Sequence, residues 1–217
     1  MNSLFWYPPA ETRISARSIV DALLGKNDDF EKDLCSYLDV ESCILGNSGR
    51  ALMTLLLRTL KKADTDNRDE VLIPAYTCYS VAASVVKAGL KISVYDLDPQ
   101  TLRPDRDSLK RAAGGKTLAI VYQHLFGIPQ PREDFHDIAV EHGIPLIEDA
   151  AQGLGGFLNS QPLGGMGDFS IFSFGRGKPL PIGTGGALAG KKQTLNAVPI
   201  LSSAKGQGLL VLSMAVQ

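Results

Sequence analysis

A lysine flanked by glycine stands just beyond a short apolar segment, in the run Phe172-Ser-Phe-Gly-Arg-Gly-Lys178. An amine that loses solvation at the end of a buried strand has its pKa lowered toward neutrality, and a neutral amine attacks aldehydes. Lys178 is therefore a candidate for covalent bonding to an aldehyde. A solvated loop lysine is the alternative interpretation.

Two adjacent carboxylates, Glu148 and Asp149, follow a second apolar segment, and Gln152 comes three residues later. Carboxylates that leave a buried strand cost free energy unless a cation or a hydrogen-bond donor meets them, so we expect partners for both. Side chains alternate across a strand, which predicts that one carboxylate faces a ligand while the other is structural. None of the three histidines, His124, His136 and His142, has a suitable spacing with these acids, and we predict no metal site.

A third cluster, Gly46-Asn-Ser-Gly-Arg50, runs directly into a predicted helix. Small residues at a helix start leave backbone N–H groups free, and these groups together with the helix dipole form a seat for phosphate. Ser48 would belong to this seat with the amides of Gly49 and Arg50. Asn and Ser are also ordinary helix caps, which is the alternative explanation.

Short β-branched segments alternate with helical ones along most of the chain, and this order predicts an open, parallel α/β sheet with helices on both faces. In such sheets ligands bind beyond the carboxyl ends of the strands, where all three clusters are expected. The predicted strands are Val71–Pro74, Lys91–Asp96, Leu118–Tyr122, Ile144–Glu148, Asp168–Phe174 and Gly185–Ala189. The predicted helices are Gly49–Lys62, Thr77–Lys87, Asp105–Ala113 and Arg132–Glu141.

A phosphate-binding helix start, an acid and a reactive lysine on one sheet are together the groups that an enzyme needs to bind and use pyridoxal 5'-phosphate. The lysine forms an imine with the aldehyde of this cofactor, the carboxylate holds its ring nitrogen protonated, and the helix start binds its phosphate. The three clusters combined therefore predict a pyridoxal-phosphate enzyme.

The composition excludes several other classes of protein. The chain has 217 residues, with 22 basic against 23 acidic side chains, and this balance argues against nucleic-acid binding. Three cysteines without a CxxC pair indicate neither a disulfide framework nor a zinc site. We find no secretory leader and no apolar run of membrane-spanning length, so a cytoplasmic protein without a membrane partner is expected.

Six segments of the sequence resemble the DegT/DnrJ/EryC1/StrS family of pyridoxal-phosphate sugar aminotransferases, in matching order and spacing. The resemblance runs from about residue 44 to 190, and the six segments within it are Asn47–Leu52, Val71–Cys78, Val94–Pro99, His124–Gly127, Ile147–Gln152 and Phe172–Lys178. The resemblance implies the three-layer large domain of a fold-type I transferase, with a mainly parallel central sheet. We expect this domain over residues 31–217, after an irregular N-terminal segment over 1–30.

The resemblance also assigns roles to single residues. Lys178 would form the internal aldimine, Asp149 would pair with the pyridine nitrogen, and Gln152 would contact the ring hydroxyl. Ser173 and the amides of Gly49 and Arg50 would hold the phosphate. By this resemblance an amino donor such as glutamate gives its amine to a keto sugar, often nucleotide-linked, while Lys178 moves the proton.

The sequence departs from the family at a few of these positions. Relatives often place an aromatic ring over the cofactor where this chain has Cys78, so that Tyr76 or Tyr79 is a candidate substitute. A buried, small apolar role is the more common one for a free cysteine. Arg50 replaces a hydroxyl residue and would supply a charge contact or point into solvent. Arg176 is a candidate for binding a substrate anion, with a surface arginine as the alternative.

The family also implies a homodimer and a C-terminal small domain, and we expect that domain to be missing or truncated here. A catalytically silent subunit that acts through dimerisation is therefore an alternative function. Sugar dehydration on the same cofactor is a second alternative, although the dehydratases carry histidine where this chain has Lys178. A nucleotide-binding Rossmann domain lacks support, because no GxGxxG follows the first predicted strand.

Overall fold

The computed structural model describes residues 30–180 and 182–199. They form six α-helices, one short 3₁₀ turn over Leu125–Gly127 and nine strands. The helices are α1 Phe30–Leu38, α2 Gly49–Ala63, α3 Tyr79–Lys87, α4 Arg106–Ala112, α5 Glu133–His142 and α6 Lys192–Asn196. The strands are β1 Ser42–Gly46, β2 Glu70–Pro74, β3 Lys91–Tyr95, β4 Thr117–Gln123, β5 Leu146–Asp149, β6 Phe157–Leu158, β7 Gln161–Pro162, β8 Phe169–Ser173 and β9 Gly186–Gly190.

Seven strands make one sheet in the order β1-β9-β8-β5-β4-β2-β3, and β6 pairs with β7 in a small separate hairpin. Strands β2, β3, β4, β5 and β8 are parallel, whereas β9 runs antiparallel to both of its neighbours, β8 and β1. The predicted mainly parallel sheet is therefore confirmed. The carboxyl ends of β4, β5 and β8 meet at one edge, which is where we expected the site.

Helices cover both faces of this sheet and give the three predicted layers. Apolar side chains of α2 and α3, among them Leu56 and Val85, pack on one face against residues such as Val121 of β4. On the other face α4 and α5 pack against the alternate residues of the same strands. All seven residues of β4 are buried, as is typical of a central parallel strand.

Element boundaries differ from the predicted ones by a few residues, and several short elements, namely α1, β1, the 3₁₀ turn, β6, β7 and α6, were not predicted. Helix α3 begins at Tyr79 rather than Thr77, because Thr77 and Cys78 remain extended before the helix. Strand β1 and helix α1 fall in sequence that gave no clear pattern. Phe30, which we assigned to an irregular segment, begins α1. The rest of that segment, and the expected domain end near residue 217, lie outside the described residues.

No helix in the described part of the chain combines the length and the apolar character needed to cross a membrane.

Candidate active site

The three predicted clusters lie together at the carboxyl edge of the sheet. Gly186 begins β9 directly opposite Ser173, the last residue of β8. It also lies against the start of α2, since a Cβ on Gly186 would fall 2.3 Å from the backbone nitrogen of Gly49. Gly49 is equally constrained, because its own Cβ would lie 2.6 Å from the carbonyl oxygen of Phe172. Glycine at both positions lets the helix start approach the end of β8.

The adjacent carboxylates of β5 point into different environments, as the alternation of a strand predicts. Glu148 has no exposed surface. Its two oxygens accept five hydrogen bonds of 2.5 to 3.2 Å, which come from His124 Nε2, the amides of Gly164, Met166 and Gly167, and Ser170 Oγ. Burial alone would raise the pKa of this carboxyl, but the bonds from His124 and the amides hold it below its usual value. Glu148 is therefore the structural member of the pair.

Asp149 has much less compensation. One of its oxygens, Oδ1, accepts a hydrogen bond of 3.1 Å from the amide of Ala151. Desolvation by burial raises the pKa of Asp149 above its usual value, while that bond and the positive charge of Lys178 act in the opposite direction. The charge of Lys178 is therefore close enough to Asp149 to influence the ionisation of its carboxyl.

Lys178 is half-buried in the loop that joins β8 to β9. The base of this loop is closed by a bridge between Gly175 and Gly183 and by a hydrogen bond of 3.0 Å from the amide of Phe174 to the carbonyl of Gly185. Within residues 30–180 and 182–199, no hydrogen bond or ion pair occupies the amine. The loop thus presents a partly desolvated amine beside Asp149.

The start of α2 combines both functions that the sequence left open. Ser48 caps the helix, and its Oγ accepts a hydrogen bond of 3.2 Å from the amide of Ala51. The bridge between Ser48 and Gly185 directs the amide of Gly49 toward the carbonyl of Gly185. The amide of Arg50 has no acceptor in the described part of the chain, and the Ser173 hydroxyl nearby makes no hydrogen bond there either. Capping and anion binding are therefore compatible, because they use different N–H groups.

Gln152 lies one turn beyond the end of β5, and its amide has a fixed orientation. Its Oε1 accepts a hydrogen bond of 3.0 Å from the backbone amide of Phe126. Phe126 itself adopts a left-handed conformation with φ of 58° and is 65% exposed. Because a backbone N–H can only donate, the carbonyl side of the amide faces Phe126 and the NH₂ side is directed elsewhere.

The outer rim of the site is exposed. Tyr76 and Tyr79 are 58% and 73% exposed, and Arg176 is also exposed. The guanidinium of Arg50 lies 5.7 Å from the ring centre of Tyr79, so Arg50 makes a cation–π contact at the surface. The interpretation of Cys78 as a buried, small apolar residue is wrong. Cys78 is exposed where it precedes α3 at the sheet edge, and its sulfur accepts a hydrogen bond of 3.1 Å from Ser80 Oγ.

Two residues that support the site were not singled out from the sequence. Gln123 ends β4, and its amide holds the segment before α3 by donating to the carbonyl of Tyr76 at 2.7 Å and accepting from the Thr77 hydroxyl at 2.5 Å. His124 follows it and binds Glu148. Both residues could have been found from the sequence, because they are polar residues at the end of the apolar strand β4, and the same pattern at β5 identified Glu148 and Asp149.

No group of three or more side chains suited to a metal ion occurs among residues 30–180 and 182–199.

Comparison with known proteins gives a family match over most of the chain. The model of the DegT/DnrJ/EryC1/StrS aminotransferase family matches residues 19–208. A UDP-N-acetyl-3-dehydro-alpha-D-glucosamine 3-aminotransferase from Acidithiobacillus ferrooxidans is 30% identical over 166 residues, which is 68% of this chain and 45% of the relative. A pleiotropic regulatory protein from Geobacillus stearothermophilus is 34% identical over 165 residues, which is 76% of this chain and 42% of that protein.

Solved structures agree with this match. An aminotransferase from Psychrobacter cryohalolentis superposes with a TM-score of 0.73 at 26% identity, covering 86% of this chain and 49% of that one. The chain therefore spans less than half the length of the curated relatives and of this structure.

Proposed function

Because the chain belongs to the DegT/DnrJ/EryC1/StrS aminotransferase family, we propose that it is the large domain of an enzyme that uses pyridoxal 5'-phosphate to transfer an amino group to a keto sugar. Pyridoxal phosphate supplies an aldehyde for covalent attachment and a ring that accepts electrons from the bound substrate. The observation that supports the proposal is that the charge of Lys178 acts on the desolvated carboxyl of Asp149, at the edge of the sheet where Ser48 caps α2.

The residues at the site fit this cofactor. A carboxylate that is desolvated and has one hydrogen-bond donor is poorly compensated, and a protonated ring nitrogen would supply the missing positive partner. The start of α2, with the amide of Arg50, and the Ser173 hydroxyl suit a phosphate dianion. The NH₂ group of Gln152 suits a ring oxygen. We therefore assign Asp149, Gln152, Ser173, Gly49 and Arg50 to cofactor binding, with Ser48 as the cap that orders the seat.

Lys178 has two functions in this proposal. Its Nζ would hold the cofactor through the aldehyde, and the same amine would move a proton at the substrate carbon that bears the amino group. A group with this second function must lie within hydrogen-bond reach of the proton and have a pKa near the working pH. The half-buried position of Lys178 in a closed loop favours the first condition.

A keto sugar attached to a nucleotide is the acceptor that we propose. The support is a relative whose name describes amination of a UDP-linked dehydro sugar. Arg176 and Tyr76 stand exposed at the rim, where a guanidinium could bind a substrate anion and a ring could lie against the sugar. Cys78 and Tyr79, beside the same opening, are the candidates for covering the cofactor ring. Glutamate is the amino donor that we propose.

We also propose that the full protein is a cytoplasmic homodimer. The exposed aromatic side chains of the rim would then be partly covered by the second subunit. Light scattering of the purified protein tests this, and a monomer at micromolar concentration would contradict it.

A silent subunit is the second candidate function, and the regulatory name of one relative favours it. The two functions predict different results when the protein is incubated with pyridoxal phosphate and glutamate. A competent site converts the yellow cofactor to colourless pyridoxamine phosphate, and Lys178→Ala abolishes the conversion. A protein that stays colourless when saturated with cofactor, or that never reacts with an amino donor, would rule out the aminotransferase.

A further inference from the structure

The ring of His124 makes a hydrogen bond through each of its nitrogens. Nδ1 accepts from the backbone amide of Gln130 at 3.0 Å, and Nε2 lies 2.7 Å from Glu148 Oε1. Since Nδ1 accepts a bond from an N–H group, the ring proton is on Nε2 and is donated to the carboxylate. His124 is 1% exposed, so these two bonds have no competition from water.

These bonds fasten both ends of the loop over residues 124–130. At its first end the amide of His124 pairs with the carbonyl of Asp149 at 3.1 Å, and at its last end Gln130 binds the His124 ring. The middle of the loop carries Phe126, whose left-handed backbone directs its N–H to Gln152 Oε1. A non-glycine residue in that conformation is strained, and the surrounding contacts must maintain it.

We propose that His124 is a positioning residue for Gln152, and that it acts by holding the Phe126 amide against Gln152 Oε1 so that the amide NH₂ points to the cofactor ring oxygen. The chain of contacts is Glu148, the His124 ring, the 124–130 loop, the Phe126 amide and Gln152. The inference rests on the proposed function for the identity of the ring oxygen. The anchoring of the loop does not depend on that function.

A fixed amide has a measurable consequence for the bound cofactor. A donor to the ring oxygen stabilises its anionic form, and thereby lowers the pH at which the neighbouring lysine-bound nitrogen loses its proton. If Gln152 turns away, this pH rises. The change of the visible absorption band with pH reports that midpoint directly, without any turnover.

The first experiment compares spectral pH titrations of the protein reconstituted with pyridoxal phosphate. His124→Gln keeps a donor for Glu148, but its acceptor oxygen stands one bond further along the side chain than Nδ1 and is misplaced for Gln130, so we expect its midpoint to rise by about one pH unit. Gln152→Glu keeps the acceptor for Phe126 but loses the NH₂ donor, and its midpoint should rise at least as far. Ser170→Ala removes a different donor from Glu148 and should leave the midpoint unchanged.

An unchanged midpoint in His124→Gln, or an equal rise in Ser170→Ala, would overturn the inference. The second result would mean that any weakening of the Glu148 cluster has the same effect, and that the loop has no special part. If His124→Gln does not fold, exchange in the parent chain decides the question: the Phe126 and Gln130 amides should be protected, and exchange at the rate of an unstructured peptide would overturn the inference.

The second experiment uses the protein without cofactor, so it remains valid if the proposed function fails. Hydrogen exchange of the peptide over residues 124–130 should be about tenfold faster at the Phe126 and Gln130 amides in His124→Gln. Ser170→Ala should exchange like the parent chain, and so should Gln152→Glu, which still accepts from Phe126. Equal exchange in the parent and His124→Gln would contradict the anchoring. Absence of a yellow band in the parent would reject the proposed function instead.

Discussion

Glu148 and Asp149 are neighbours in β5, yet their carboxyl groups differ in the number of hydrogen-bond donors and in the direction of their pKa shifts. Glu148 is fully buried and receives five donors, and its pKa lies below the usual value. Asp149 receives one donor, and burial raises its pKa. The described part of the chain compensates the first charge more fully than the second, which agrees with our proposal that Asp149 binds the cofactor. The contrast distinguishes Glu148, which stabilises the fold around the site, from Asp149, which we propose binds a ligand.

The largest effect should follow from removing the charge of Glu148. In Glu148→Gln an amide NH₂ would face backbone N–H groups of the 164–167 segment, and His124 would lose its acceptor. We expect the free energy of unfolding to fall by about 3 kcal/mol, because breaking a buried, multiply bonded charge leaves several polar groups unsatisfied. Urea denaturation of the cofactor-free chain measures this, and a loss below about 1 kcal/mol would contradict the structural role.

The matched substitution of the neighbouring carboxylate, Asp149, should weaken cofactor binding and leave stability unchanged or slightly higher. Asp149→Asn removes a poorly compensated charge, so the cofactor-free protein should be as stable as the parent or slightly more stable at neutral pH. Its affinity for pyridoxal phosphate should fall by about 10- to 100-fold, the equivalent of one lost charged hydrogen bond. Fluorescence titration gives the dissociation constant. If Asp149→Asn loses as much stability as Glu148→Gln, the contrast between the two carboxylates is wrong.

Glu148 and Asp149 should also contribute with opposite signs to the pH dependence of stability. The lowered pKa of Glu148 means that its contribution is present above its usual value of 4.5 and is lost as pH falls through the folded-state pKa. The raised pKa of Asp149 has the opposite sign, so its ionisation costs stability as pH rises above 3.8 and through the folded-state pKa. We therefore expect the stability of Asp149→Asn relative to the parent to increase over that rise. A constant difference between acid and neutral pH would contradict this assignment.

The smallest effects on stability should come from the rim. Tyr79→Ala removes an exposed ring and its contact with Arg50, and we expect a change within about 0.5 kcal/mol.

Cysteine labelling compares an exposed residue at the rim of the site with a buried one, without any substitution. A thiol reagent should modify exposed Cys78 rapidly in the native protein, while buried Cys43, whose pKa is raised by burial, should react only on unfolding. Pyridoxal phosphate should slow labelling of Cys78 if this side chain covers the ring. Equal rates with and without cofactor would place Cys78 away from it.

Much of this architecture follows from patterns in the sequence. The apolar, β-branched segments of β2, β4 and β5 predicted a buried parallel sheet, and the polar residues after them predicted the edge that carries the site. Strand β1 was missed because Ser42–Gly46 is short, and it pairs with β9, which is distant in sequence. A local pattern cannot show such a pairing.

The supporting contacts of the site could not be predicted for the same reason. Alternation along β5 indicated that Glu148 and Asp149 face opposite ways, but not which of them is structural. The structural role of Glu148 depends on the contacts that it makes with the 164–167 segment and with His124, which follows β4. Both contacts join parts of the chain that are 16 to 24 residues apart.

The attachment of pyridoxal phosphate to Lys178 is the central claim, and borohydride reduction followed by peptide mass spectrometry tests it most directly. After reconstitution and reduction, the mass of the cofactor should be found on the peptide that contains Lys178 and nowhere else in comparable yield. Lys178→Ala should carry no adduct, and Asp149→Asn should carry less than the parent at limiting cofactor. An adduct spread over surface lysines such as Lys191 and Lys192, or absent from Lys178, would contradict the account.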